Sequence, residues 1–337
     1  VQNSLRRYLL NKILWYLLAL AIAVTLNFFL PRLIPGNPVD LLVSQFLRGT
    51  GQGTNASKMY ATFIKQFGLD KPLFGQFLAY LGEIFRGNLG KSFSLYPADV
   101  TTLIAQALPW TLALQIPAII LGWLIGNGLG ALAAYKRGMF DRTFFVSSLA
   151  LSSIPYYAFA IILLYLFAVV MPILPAGGGY SFGMNPAFTL RFIGDAIAHY
   201  TLPFLSLILI AIGGQAVGMR SMAIYELGSD YVNYSVGLGV KERKIMGFVF
   251  RNAMLPQISG LSIALGTMVG GALITEIVFS YPGVGTLLFN AITANDYPLI
   301  QGITLYIVVG VLLANFLVDI AYGYIDPRIR ASQRGER

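Results

Sequence analysis

Six apolar runs of roughly twenty residues constrain this chain more tightly than any other feature: about Ile13–Leu30, Trp110–Ala134, Phe144–Val170, Tyr200–Val217, Ile258–Phe279 and Ile303–Tyr322. A helix rising about 1.5 Å per residue needs about twenty apolar residues to cross a hydrocarbon core of about 30 Å. Lipid offers no partner to a backbone amide, so runs of this length fold as helices. Composition agrees: 11% of the 337 residues are charged and 56% are hydrophobic, whereas a soluble domain carries about 25% charged residues. The expectation is an all-α polytopic membrane protein with six transmembrane helices. Pro117, Pro155 and Pro203 fall inside or near the starts of runs, where neighbouring helices and water satisfy the carbonyls they free.

The net charge of +9 has a topological cause rather than a nucleic-acid one. Arg6, Arg7 and Lys12 precede the first run. Lys136, Arg137 and Arg142 fill the second connection, and Arg220, Lys241, Arg243, Lys244 and Arg251 the fourth. Arg328, Arg330, Arg334 and Arg337 follow the last run, while the third connection holds only Arg191 and the fifth none. Basic residues in short connections mark the cytoplasmic side, which puts both termini there. The first run lacks a small-residue cleavage site and reads as a retained signal anchor. With no cysteine, disulfides, thiolate metal sites and a cysteine nucleophile are excluded.

Three regions follow: residues 1–30 with the first helix, an extracytoplasmic helical region at 31–109, and a core at 110–337 with five further helices. In the outer region Tyr60–Phe67, Leu73–Phe85 and Val100–Leu108 show helical spacing of apolar residues. Breakers separate them at Gly68–Pro72 and Gly87–Gly90, and Arg48–Ser57 is a flexible polar insertion. The region serves either as a docking surface or as a structural cap. Gly122, Gly126 and Gly130, and Gly266 and Gly270, recur every fourth residue and allow close helix approach, within this chain or against a second subunit.

Little here does chemistry. Gly90-Lys91-Ser92 resembles the end of a phosphate loop, but Phe85 stands where that motif needs its first glycine. His199 is the only histidine, sits at the outer start of the fourth run, and lacks partners for a zinc site. Glu276 and Asp319 are acidic residues inside runs, a costly placement that points to function. Glu276, just before the turn Ser280-Tyr281-Pro282-Gly283, either lines the outer mouth of a pathway or bonds to backbone in that turn. Asp319 is expected to pair with a basic residue of the tail. No run carries the midplane charge network that a proton- or sodium-driven carrier needs.

Residues 225–255 form a polar island between the fourth and fifth runs. Asp230 suits the N-cap of a short helix, its carboxylate accepting from the free N–H groups two and three residues on, and Tyr231, Tyr234, Ser235 and Leu238 then share one face. Gly239 suits a left-handed helix stop, and Lys241-Glu242-Arg243-Lys244 opens a second helix toward Pro256. Two tyrosines and a leucine on such a helix suit a groove on a partner or the membrane surface.

The island resembles the coupling loop of the permeases of ATP-binding-cassette importers, in the oligopeptide/dipeptide permease branch. Asp230-Tyr231-Val232, Gly239-Val240 and Arg251-Asn252-Ala253-Met254-Leu255-Pro256 carry the likeness there. Nearly the whole chain shares it, through Pro35-Gly36-Asn37-Pro38, Phe67–Leu73, Gly87–Ser92, Phe279–Gly285 and Asp326-Pro327-Arg328, in order and at the family's spacing. The chain departs from the pattern at Ser235–Leu238, where relatives carry an alanine–lysine run, and at Phe248, where many have histidine.

The resemblance implies a type I ABC importer permease fold in a bacterial or archaeal inner membrane. It implies a homologous second permease subunit, two cytoplasmic ATPases and an extracytoplasmic solute-binding protein as partners. It implies no cofactor in this chain, since ATP and magnesium would bind the ATPases. Asp230, Tyr231, Tyr234, Ser235, Leu238, Gly239 and Lys241 would form the ATPase-coupling surface, with Glu276 a pathway residue. Oligopeptides or dipeptides are the expected cargo, with oligosaccharides or nickel as alternatives; a channel or carrier working alone, or an anchored sensory subunit, stands further off.

Overall fold

The computed structural model describes residues 2–33, 43, 56–66, 68–136, 138–271 and 273–325. Pro35–Pro38, most of Arg48–Ser57, and Asp326-Pro327-Arg328 lie outside them, as do the surroundings of Gly266 and Gly270 and the side chain of Asp319. The described residues form helices, in chain order α1 (Gln2–Phe29), α2 (Ala56–Gln66), α3 (Leu73–Phe85), α4 (Val100–Lys136), α5 (Gly138–Ser152), α6 (Tyr156–Leu164, continued by a π turn over Tyr165–Val170), α7 (Leu190–Leu227), α8 (Asp230–Gly237), α9 (Glu242–Gly271), α10 (Leu273–Val278), α11 (Val284–Thr293) and α12 (Tyr297–Ile325).

Four helices are long and apolar enough to cross a membrane, within Lys12–Leu33, Val100–Lys136, Leu190–Leu227 and Tyr297–Phe316, and α5 with α6 makes a fifth if that bent pair is one span. The expected count of six is therefore not reached among the described residues. The run at Ile258–Phe279 lies only partly within the described residues.

The third run, expected as one span over Phe144–Val170, is bent by 96° between α5 and α6. Pro155 explains the break: it has no N–H to return to the preceding turn, and it disfavours the helical conformation at Ile154. Val100–Leu108, expected as a separate outer helix, is the first part of α4. No breaker separates it from the second run, and Pro109 is tolerated within the continuous helix.

The chain divides into two compact units, Val1–Trp110 with Gly283–Phe316, and Thr111–Pro282 with Leu317–Arg337. In the first, Asn27 of α1 is the hub of a buried polar network. Its amide donates to the Tyr80 hydroxyl at 3.0 Å and to the Gln301 carbonyl at 2.8 Å, and its oxygen accepts from the Thr304 hydroxyl. Asp296, fully buried, accepts from the Ser92 hydroxyl and from the backbone and hydroxyl of Ser94. Lys91 donates to the Pro97 carbonyl and pairs with Asp99 at 3.3 Å. Lys91 and Ser92 thus have structural partners within the first unit.

In the second unit α7 is central and packs against α5, α6 and α9. Its buried residues, among them Leu202, Ser206, Ile210, Gly213, Ala216 and Met219, recur at helical spacing. The glycines of α4 face α7 of the same chain. A Cβ at Gly130 would lie 2.4 Å from the Ala216 carbonyl oxygen, and one at Gly122 would lie 2.6 Å from the Ala211 Cβ. Of the two readings of that stripe, packing within the chain is the one observed. His199 is buried, its Nδ1 2.9 Å from the Asp195 carbonyl oxygen, which fits a structural role.

Candidate functional site

The polar island folds as a short helix clamped across the ends of three long ones. α7 ends at Leu227, and Ser229 takes an extended backbone as the residue before α8, its hydroxyl donating to the Glu226 carbonyl at 2.6 Å. Ser229, not Asp230, is thus the N-cap residue, because Asp230 already has helical geometry. Asp230 is an exposed carboxylate in the first turn, where it complements the helix dipole.

α8 stops as its sequence suggests. Gly239 has φ of +69°, its N–H bonds to Val236 O at 3.0 Å, and the Val240 N–H bonds to Ser235 O at 3.1 Å. This pair of bonds around a left-handed residue is the Schellman stop. The chain re-enters helix at once, with the Lys241 carbonyl accepting from the Lys244 N–H at 2.8 Å. Lys241 itself is exposed.

One side of α8 is seated. Val232 is 5% exposed and joins a buried cluster of Ala134 from α4, Met219 and Ala223 from α7, and Ile245, Val249 and Ala253 from α9. Burying a valine side chain stabilises by about 1.5 kcal/mol, so this residue alone gives the short helix a firm base. Tyr231 and Val240 pack against the same cluster from the rim.

The structure divides the expected coupling face. Tyr234 and Leu238 are exposed at 70% and 64%, as expected, and Val236 joins them at 61%. Tyr231 is turned inward: it is half-buried and its hydroxyl donates to Glu226 Oε2 at 2.8 Å. Burial, and then the Glu226 carboxylate, push its pKa up, so it stays a neutral donor. The reason is rotational. At about 100° per residue Tyr231 lies about 100° from the buried Val232, on the rim of the seated side, whereas Tyr234 lies about 160° from it, nearly opposite.

Ser235 donates to the Tyr231 carbonyl at 2.7 Å. Both residues line a shallow cleft of about 570 Å³ with Phe248, Arg251, Asn252 and Leu255 of α9. Arg251 and Asn252, in the sequence only part of a motif, stand in the fold beside Tyr231 and Ser235. Glu276 does not join this patch. It lies on α10, fully buried, where the Tyr281 N–H bonds to its backbone carbonyl at 2.8 Å. The turn after it is held by Gly177 and Gly178, whose approach to the Phe279 carbonyl leaves no room for a Cβ at Gly177.

Several helices long and apolar enough to cross a membrane, with a short helix seated across the ends of α4, α7 and α9 and presenting an apolar edge, suit a membrane transport subunit. Comparison with known proteins agrees. Residues 126–331 match the family of binding-protein-dependent transport system inner membrane components, and the chain belongs to that family. It is 34% identical over 321 residues to a di/tripeptide transport system permease protein of Pseudomonas aeruginosa, covering 90% of this chain and 93% of the relative. It is 33% identical over 324 residues to a dipeptide transport system permease protein of Escherichia coli, with the same coverage of 90% and 93%. It is 36% identical over 331 residues to a protein of Brucella ovis described as a peptide permease, covering 97% of this chain and 99% of that one. The chain is therefore a multi-pass inner-membrane permease subunit of an importer and works with other transporter subunits.

Proposed function

We propose that this permease carries short peptides into the cell and that α8 is where it receives the work of ATP hydrolysis. Three relatives matched over nine-tenths or more of this chain bear dipeptide, di/tripeptide or peptide permease names, which supports the cargo. The observation that carries the coupling role is the two-sidedness of α8: Val232 buried at 5% in a cluster shared with three long helices, and Tyr234, Val236 and Leu238 exposed beyond 60%.

In this reading the chain pairs with a homologous permease, with both termini in the cytoplasm. Two ATPases, which hold the ATP and magnesium, take the exposed edge of α8 into a groove. A solute-binding protein delivers peptide on the opposite side. Closure of the ATPases pushes α8, and the seat at Val232 passes that displacement to α4, α7 and α9 together.

The test is uptake of labelled dialanine by proteoliposomes holding the complete transporter. ATP should support uptake and a non-hydrolysable analogue should not. Uptake by this chain without the ATPases would sink the reading in favour of a channel or carrier.

A further inference from the structure

A cavity that the coupling site does not use opens in the second unit at the break between α5 and α6. Its volume is about 390 Å³, and its polar and aromatic lining comes from Trp123, Ser152, Ser153, Tyr156 and Gln215. None of its lining residues is charged. α5 is 15 residues long, so the break lies about 20 Å along that helix from the basic connection.

The backbone at the break has unused acceptors. α5 closes with the Ser153 N–H on Leu149 O and the Ile154 N–H on Leu151 O, and the ladder resumes with the Phe159 N–H on Pro155 O. The carbonyls of Ser152, Ser153 and Ile154 belong to neither ladder. The hydroxyls of Ser152 and Ser153 spend their protons on the Leu149 carbonyl, at 3.0 Å and 2.8 Å, and keep their lone pairs. Open acceptors at membrane depth are tolerated where they line a cavity, not where they meet lipid.

Donors come from α7 and from the first residue after the break. Among the described residues the Gln215 amide and the Tyr156 hydroxyl make no hydrogen bond. Gln215 is held there by close helix approach: a Cβ at Gly126 would lie 2.7 Å from its Cβ. Trp123 is fixed by its indole N–H, which donates to the Gln257 carbonyl at 2.9 Å, leaving its ring as an apolar wall.

A donor on α7, a second beside the break, open backbone acceptors at the break and no charge match the alternating N–H and C=O groups of a peptide main chain. We propose that this cavity is a cargo site inside the permease that holds a short peptide by its backbone amides and reads no side-chain charge. The inference rests on the peptide reading above and adds to it where the cargo sits and why one pathway accepts many sequences.

The test gives the site a charge and asks whether it begins to discriminate. With the complete transporter in proteoliposomes, the rates of uptake of Ala-Lys-Ala and Ala-Glu-Ala are compared for wild type, Gln215→Glu and Ser153→Asp, always with the same binding protein, whose own preference then cancels. Each variant should raise the Lys-to-Glu uptake ratio at least fivefold over wild type. Ser153 is exposed, so Ser153→Asp decides alone if Gln215→Glu does not assemble. An unchanged ratio overturns the site. Failure of the wild-type transporter to move either peptide would instead sink the peptide reading.

Discussion

The hydroxyl of Tyr231 donates to the Glu226 carboxylate at 2.8 Å and so ties the first turn of α8 to the last turn of α7. The bond closes the sharp corner at Gly228 and Ser229, whose own hydroxyl bonds back to the Glu226 carbonyl. Removing the donor by Tyr231→Phe should cost about 1 kcal/mol. Amide hydrogen exchange over residues 230–237 should then speed up about fivefold, while the buried Val232 seat keeps the helix folded. The pH dependence has a definite sign. Because the folded pKa is raised, the bond's contribution is complete below the ordinary tyrosine value of about 10 and is lost as pH rises through the folded value. Exchange corrected for its intrinsic rate should be flat from about pH 7 to 9 and faster beyond about 10, a rise that Tyr231→Phe lacks. Equal exchange in the two proteins would show that the bond does nothing for the corner.

The exposed edge of α8 makes a separable prediction. Leu238→Asp and Tyr234→Ala should each weaken capture of the ATPase subunits at least tenfold, about 1.4 kcal/mol, without changing the melting temperature of the purified permease. Val232→Asp should do the reverse, lowering the melting temperature first, because it places a carboxylate in an apolar cluster. Capture assays with detergent-purified partners would separate the two classes, and full binding by Leu238→Asp would remove this edge from the interface.

Two neighbouring glycines of α4 should behave differently. A methyl at Gly130 meets backbone of α7 at 2.4 Å, whereas one at Gly128 meets nothing within 4 Å. Gly130→Ala should destabilise by about 1–3 kcal/mol through forced helix separation. Gly128→Ala should be neutral or stabilise by up to about 1 kcal/mol, from helix propensity alone. Thermal unfolding in one detergent checks both, and equal effects would mean that the close approach of α4 and α7 is wrong.

Arg220 of α7 holds Asp141 of α5 with two nitrogens, one at 2.6 Å, while its guanidinium lies over the Phe145 ring at 4.2 Å. Both side chains are mostly covered. Arg220→Ala should cost about 2 kcal/mol, less than a fully buried pair because water still reaches the site. Arg220→Lys should recover only part, since lysine can neither form the fork nor stack. A melting series would show this order, and identical values for the alanine and lysine variants would contradict it.

What the sequence disclosed depended on the length scale of the signal. The long apolar runs on α1, α4, α7 and α12 were legible because hydropathy summed over about twenty residues outweighs local chemistry. Gly239 was legible because a left-handed stop has a one-residue signature. The 96° bend at Ser152–Pro155 was not, because hydropathy has no direction and a proline in an apolar run is compatible with a straight helix. Tyr231 was placed on the exposed face because spacing relates positions to one another without saying which side is covered. Val232, apolar and unremarkable in the sequence, set that side once Ala134, Met219 and Val249 surrounded it. Arg251 and Asn252 were visible as a motif, but their place beside Ser235 required the corner at Gly239.

That corner has a mechanical consequence. Ser235 and Val236 on one side of it are hydrogen-bonded to Val240 and Gly239 on the other, so the two helix axes meet through a closed ring of bonds rather than a loose strand. A flexible loop would let α8 yield first and pass on motion only after its slack was taken up. Under the proposed coupling role this leaves no backlash: a push received at Leu238 would reach Val240 and the start of α9 in the same step, with the joint acting as a bell crank.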